Sequence, residues 1–173
     1  MSSFQKIETS NAPAAIGPYS QAFTVGNLLI TSGQIPASPA DGSVPEGIEA
    51  QAEQSIKNVG AILEAAGTKF ENVVKTTCFL ADMGDFAAFN AVYEKYFVSK
   101  PARSCVAVKA LPKGVLCEVE AIAVLSSPHI PKQKSHESVC ELMTFLLRAL
   151  SVLSLGAYVR HLAPRLIRSG FRL

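Results

Sequence analysis

The segment KPARSCVAVKALPKGVLCEVEAIAV, residues 100–124, decides the fold. It reads as two strands, 103–109 and 116–124, with turn chemistry at Leu111-Pro112-Lys113-Gly114 between them. A strand sends successive side chains to opposite faces. Arg103, Cys105, Ala107 and Lys109 therefore share one face of the first strand, and Ser104, Val106, Val108 and Ala110 the other. On the second, Leu116, Glu118, Glu120, Ile122 and Val124 lie opposite Cys117, Val119, Ala121 and Ala123. Two carboxylates on a strand otherwise suited to burial need partners, because an unpaired buried charge is costly. They point to a polar site or an interface. Closing a tight hairpin at 111–114 pairs Arg103 with Ala123 and leaves Glu118 ~16 Å away along the strand. On that register Arg103 and Glu118 of one chain do not touch. They share a ligand only if neighbouring subunits supply them or if the hairpin is irregular.

Upstream, YSQAFTV (19–25) and LLITS (28–32) flank Gly26-Asn27 and form a hairpin. SGQIPASPADGSVPEG is a loop rich in Gly, Pro and Ser, with room for a short strand at Gln34-Ile35. Over 46–66, Ile48, Ala52, Ile56, Val59, Ile62, Leu63 and Ala66 fall on one helical face, and Gly67 ends the helix. NVVKTTCFLA (72–81) is β-branched and too apolar for a surface helix, so it reads as a central strand. Asp85 is placed to cap a second helix, 86–97, with Phe86, Phe89, Tyr93 and Phe97 on one face. The order ββ(β)αβαββ predicts an α+β domain with helices covering one face of a sheet.

The 173 residues divide in composition near position 125. Residues 1–125 hold 9 Lys+Arg and 12 Asp+Glu; residues 126–173 hold 7 and 2. The first part has no basic stripe to track phosphates, which argues against nucleic acid as its main ligand. All three histidines (His129, His136, His161) follow residue 125. Chemistry in the first part thus excludes a His base, a Ser-His-Asp triad and a His-ligated metal. No GxGxxG or GxxxxGK[ST] motif occurs, and no cofactor is expected. Cys78, Cys105, Cys117 and Cys140 lack CxxC or zinc spacing, and the N-terminus is polar; a reducing cytoplasm with free thiols is the expectation.

The expected organisation is one domain, 1–125, followed by a C-terminal extension, 126–173. In the extension, SSPHIPKQKSHES (126–138) reads as a linker and 139–173 as an apolar and basic segment. Arg148 interrupts LMTFLLRALSVLSLGA, which falls short of the ~20 clean apolar residues of a spanning helix. Three readings stay open for it: a docking helix or helix pair, a membrane-surface segment, or an appendage without a selected role. No membrane association is expected for 1–125.

Taken singly, the polar residues allow two readings each. Arg103 is either a solvent-facing strand-end arginine or a fork that grips a carboxylate through two hydrogen bonds. Cys105 is a small core filler or the lining of a site. Glu118 and Glu120 are edge-strand charges that block aggregation, or site groups. Tyr19, after Gly17-Pro18, reads as a packing aromatic, and Asn90 as a satisfied core amide.

Five motifs in order, AAIGPYSQA (14–22), ITSGQIP (30–36), NVVKTT (72–77), KPARSCVAVKALPKG (100–114) and CEVEAIAV (117–124), resemble the RidA proteins of the wider YjgF superfamily. The resemblance covers residues 1–125 and does not extend to 126–173. It implies a chorismate-mutase-like fold: a six-stranded mixed sheet with two helices on one face, assembled as a homotrimer with a central β-barrel and sites in the clefts between subunits. It implies hydrolytic deamination of 2-iminoacids and their enamine tautomers, such as 2-aminoacrylate and 2-iminobutanoate, to 2-oxoacids and ammonia, without a cofactor. Such compounds are released by pyridoxal-phosphate enzymes, including threonine and serine dehydratases. By motif, the catalytic residues are Arg103, which grips the substrate carboxylate, Glu118 and Tyr19, while Ser32, Gly33, Asn90 and Cys105 bind the substrate with Arg103. Glu118 is associated with the water. The stretch between Phe97 and Pro101 is short, a departure that bears on the rim of the cleft. Two other functions go with the same resemblance: a single-strand endoribonuclease or translation inhibitor, and a ligand-binding trimer without turnover.

Overall fold

The structure, a computed structural model, describes residues 4–125. The linker and the apolar, basic segment expected over 126–173 lie outside the described residues. The elements are β1 (Phe4–Ile7), β2 (Ala22–Val25), β3 (Leu28–Thr31), α1 (Ile48–Ala65), β4 (Val73–Leu80), α2 (Phe86–Tyr96), β5 (Ala102–Ala107) and β6 (Cys117–Val124), with three short 3₁₀ turns. The strands form one mixed sheet in the order β1-β2-β3-β6-β4-β5. This is the expected α+β architecture of six strands and two helices.

The expected hairpin between the last two strands is not there. β4 lies between them, antiparallel to β6 and parallel to β5. Arg103 is paired with Thr76, not with Ala123. The physical reason is the connection. Residues 108–116 do not turn tightly but pass across the end of β4. Val108 N donates to Leu80 O at 2.9 Å on one side, and Ala81 N donates to Leu116 O at 2.9 Å on the other. Lys113 (φ 58°) and Gly114 (φ 66°) take left-handed conformations to make the bend. β4, rich in Val and Thr, gains ladder partners on both edges, which is where such a strand belongs.

Three smaller differences follow from local chemistry. β1 carries Gln5 and Lys6 and is exposed apart from Ile7, so no alternation marked it; pairing with β2 makes it a strand. The Gln34-Ile35 strand is a single bridge, Gln34 to Val119. Asp85 makes no side-chain cap to α2; instead Asp82 Oδ1 accepts from Gly84 N at 2.7 Å and caps the 3₁₀ turn ahead of the helix.

Ala52, Ile56, Val59, Ile62 and Leu63 of α1 are fully buried against the Cys117, Val119, Ala121 and Ala123 face of β6 and the Cys78 and Leu80 face of β4. Each branched or large side chain so placed contributes about 1.5–3 kcal/mol relative to exposure. α2 adds Phe89 and Tyr93, and Phe97 follows at its C-terminal cap, with the Tyr93 and Phe97 rings stacked at 4.3 Å. Among the described residues no helix lies over the opposite face of the sheet. It presents Phe23, Val25, Leu28, Ile30 and Val106, each at least 36% exposed.

Candidate functional site

Arg103 is the second residue of β5, on the helix-covered face beside Thr76. Phe86, Asn90 and Tyr93, spaced four and three apart, line the facing side of α2. The guanidinium carbon lies 4.6 Å from the Tyr93 ring centre and 5.6 Å from that of Phe86, while Nη1 donates to Asn90 Oδ1 at 2.7 Å. Stacking on aromatic faces and one amide bond fix the plane of the fork. Among the described residues no carboxylate pairs with it; the ion pairs are Lys6–Glu8, Lys57–Glu53 and Lys69–Glu71. The Asn90 bond uses one of five guanidinium N–H donors. Cys105, two residues on and on the same face, is a half-buried free thiol. Burial pushes its thiol up, opposed by the charge of Arg103.

Glu118 is on the other face. It is paired with Phe79 on β4, one residue out of phase with the buried Cys117 and Val119. Burial holds its carboxyl above the usual carboxylate range, and Glu120 adds to the effect. The side chain folds over Gly33: a Cβ on Gly33 would clash with Glu118 Oε1 and lie 2.8 Å from Cδ. Gly33→Ala is therefore expected to drive the carboxylate out of its seat. Any activity that uses this carboxylate should fall more than tenfold while the thermal midpoint moves by only about a few degrees, a side chain being easier to displace than the sheet. Retained activity in Gly33→Ala would show that the seat is not used.

Ser32 precedes this glycine. Its Oγ donates to Ser20 O at 2.6 Å, so its hydroxyl proton is already engaged and its lone pairs remain for a ligand. Tyr19 is not packed in the core; it is 48% exposed, and its hydroxyl accepts a long 3.5 Å bond from Ile16 N. Tyr19 and Gly33 line a cavity of about 360 Å³ together with Ile16, Ile35, Ser38 and Lys113.

The seven residues singled out in the sequence thus fall into two groups. Arg103, Asn90 and Cys105 gather beneath α2. Tyr19, Ser32, Gly33 and Glu118 gather around the Gly33 loop, with Glu118 on the uncovered face. Arg103 and Glu118 are separated by β4 and point to opposite sides of the sheet. They do not meet within one chain, for a reason other than the hairpin register. The sequence did not single out Phe86 and Tyr93 as the floor under the guanidinium; their spacing with Asn90 on one helical face was the available signal. Among the described residues no group of three or more His, Cys, Asp or Glu is placed to hold a metal ion. No helix among them is long and apolar enough to cross a membrane.

The raised Glu118 pKa fixes the sign of a stability effect. The folded chain binds this proton more tightly than the unfolded chain. Stability is therefore lost as pH rises from the unfolded pKa through the folded one, and the penalty is complete above both. Glu118→Gln should melt at a higher temperature than the parent at pH 7.5 and at nearly the same temperature at pH 3.5. Thermal melts at the two pH values check it, and an equal difference at both would mean that ionisation of Glu118 carries no penalty.

A family model described as Endoribonuclease L-PSP matches residues 9–125. The 2-iminobutanoate/2-iminopropanoate deaminase of Escherichia coli strain K12 is 57% identical over 122 residues, covering 68% of this chain and 95% of that protein. The crystal structure of the yjgF gene product of E. coli superposes with a TM-score of 0.68 at 56% identity, covering 69% of this chain and 98% of that one. That of E. coli TdcF with bound serine gives 0.69 at 47% identity, covering 70% and 99%. By sequence across two thirds of its length, and by the six-stranded sheet with its two helices, this chain belongs to the Endoribonuclease L-PSP family.

Proposed function

We propose that residues 1–125 form one domain that hydrolyses 2-iminoacids and their enamine tautomers, 2-iminobutanoate and 2-aminoacrylate among them, to 2-oxoacids and ammonia. The observation that carries this reading is the guanidinium of Arg103: held by Asn90 over two aromatic rings and without a carboxylate partner among the described residues, it is set to receive one. The deaminase name of a relative 57% identical supports it. So does the serine bound to TdcF, an amino acid whose carboxylate adjoins the nitrogen-bearing carbon as in a 2-iminoacid.

The chemistry asks little of the protein. A protonated imine carbon is already electrophilic. Arg103 takes the substrate carboxylate in a two-bond grip and so fixes where the imine carbon sits. Glu118 orients a water and accepts its proton as the oxygen bonds to carbon. A carboxylate with a raised pKa is a better base for this step than an ordinary one. The resulting carbinolamine transfers its hydroxyl proton to nitrogen and expels ammonia, leaving the 2-oxoacid. Tyr19, Ser32, Gly33 and Cys105 line the cleft.

The two groups of residues come together if the chain is a homotrimer. In that arrangement the uncovered sheet faces, with Phe23, Val25, Leu28, Ile30 and Val106, pack into a central barrel, and Arg103 of one protomer meets Glu118 of the next. The free thiols Cys78, Cys105 and Cys117 fit a cytoplasmic setting. The family description favours a second reading, a single-strand endoribonuclease. Against it stand the excess of acidic over basic residues in 1–125 and the lack of a basic, aromatic platform there. A coupled assay decides. Threonine dehydratase generates iminobutanoate, and the chain should speed the decay of its absorbance while leaving single-stranded RNA uncut. No acceleration by folded protein, or RNA cleavage at comparable turnover, would overturn the proposal.

A further inference from the structure

The β4–β5 register sets Cys78 directly beside Cys105, two pairs along from Thr76 and Arg103 and on the same face. Both side chains lie on the helix-covered face, Cys78 wholly buried and Cys105 half-buried. Adjacent strands run about 4.8 Å apart, within the Cα separation of roughly 4.4–6.8 Å that a disulfide spans. We propose that Cys78 and Cys105 are a peroxide-oxidisable thiol pair whose disulfide alters the edge of the Arg103 site.

The third described thiol does not compete. Cys117 is paired with Leu80, two residues from Cys78 on the far side of β4, and its Sγ is in contact with Ser55 Oγ at 3.8 Å. Cys105 has the access that Cys78 lacks, so it reacts first. Its thiolate attacks one peroxide oxygen, the O–O bond breaks, hydroxide leaves, and a sulfenic acid forms. The Cys78 thiol then attacks the Cys105 sulfur, and the sulfenic oxygen departs as water. In sum, two thiols and one hydrogen peroxide give one disulfide and two waters. Burial pushes Cys78 up to about 12 and raises Cys105 as well, so the thiolate fraction is small at neutral pH and oxidation should quicken as pH rises. Direct cross-strand neighbours must lean together to bond. That strain makes the disulfide readily reduced, as a reversible modification requires.

Formation of the bond draws the Cys105 sulfur toward β4, away from the space beside Arg103, and ties the edge strand to the central one. The effect on turnover rests on the proposed role of Arg103; the bond itself does not, and the two are read separately. Full-length chain is exposed to hydrogen peroxide at pH 7 and pH 9, then digested without reduction. The expected result is a peptide pair joined through Cys78 and Cys105, lighter by about 2 Da than the two reduced peptides, with imine hydrolysis reduced several-fold and restored by dithiothreitol. Cys78→Val keeps its basal activity and loses the reversible inhibition; Cys78→Ser serves if the valine variant folds poorly. Unmodified thiols after oxidation, or a crosslink through Cys117 or Cys140 instead, overturns the site. A Cys78–Cys105 bond with unchanged turnover overturns its coupling to Arg103.

Discussion

Arg103→Ala lowers kcat/KM for iminobutanoate by about 10²–10⁴-fold, by the energetics of a charge-assisted pair. Each hydrogen bond between charged partners is worth about 1.5–3 kcal/mol, and each 1.4 kcal/mol is a factor of ten. Losing a two-bond grip therefore removes about two to four decades. Arg103→Lys should recover little of this. An ammonium keeps the charge but presents no planar fork, and it has no counterpart to the guanidinium plane lying over Tyr93 and Phe86. The division between the kinetic constants is informative. An anchor used equally in the bound substrate and the transition state raises KM; one that aims the imine carbon at the water lowers kcat. Asn90→Ala leaves the charge and releases its orientation, so its loss should be smaller, nearer tenfold, and should fall mainly on kcat. Because the guanidinium also packs on two rings, Arg103→Met, which keeps the apolar stem, separates lost chemistry from lost packing. If Arg103→Ala stays within threefold of the parent, the carboxylate is bound elsewhere.

The faces of the last two strands were legible because alternation is a local property. Arg103 with Cys105, Glu118 with Glu120, and the buried row Cys117, Val119, Ala121 and Ala123 all lie as periodicity assigns them. Which strand stands beside which is not a local property. β4 enters between β5 and β6 from 20 or more residues upstream, and nothing in residues 103–124 records that. The turn residues at 111–114 mark a bend correctly but serve a longer path over the end of β4. Helix α1 was legible almost to its ends because its apolar spacing is regular. At the site, the motif resemblance supplied the residue types, and the geometry supplied their grouping. Asn90 looked like a core amide because it sits among phenyl groups; its partner is a strand residue 13 positions away. The seat of Glu118 on Gly33 was invisible because it depends on the Gln34–Val119 bridge, a long-range pairing that sets a loop glycine beside β6.

That grouping leads to the most discriminating result. Arg103→Ala and Glu118→Gln, each inactive when purified alone, should regain activity when the two chains are co-expressed and assemble together. The sheet separates the two side chains: Arg103 faces α2 across from Thr76, and Glu118 faces the uncovered side across from Phe79. No rotamer brings them to one small substrate inside a protomer. If each site takes its arginine from one subunit and its glutamate from the neighbour, a mixed trimer contains sites in which a Glu118→Gln chain gives an intact arginine and an Arg103→Ala chain an intact glutamate. With equal, random assembly that holds for about one site in four, so turnover per site should reach about a quarter of the parent value. A site built within one chain gives no such recovery, because every chain in the mixture lacks one member. Mixing the two purified trimers without exchange should stay inactive, which excludes weak residual activity as the source. Recovery on co-assembly therefore reports the shared cleft directly, and its failure, with trimers demonstrably mixed, would mean that Arg103 and Glu118 do not act on the same substrate.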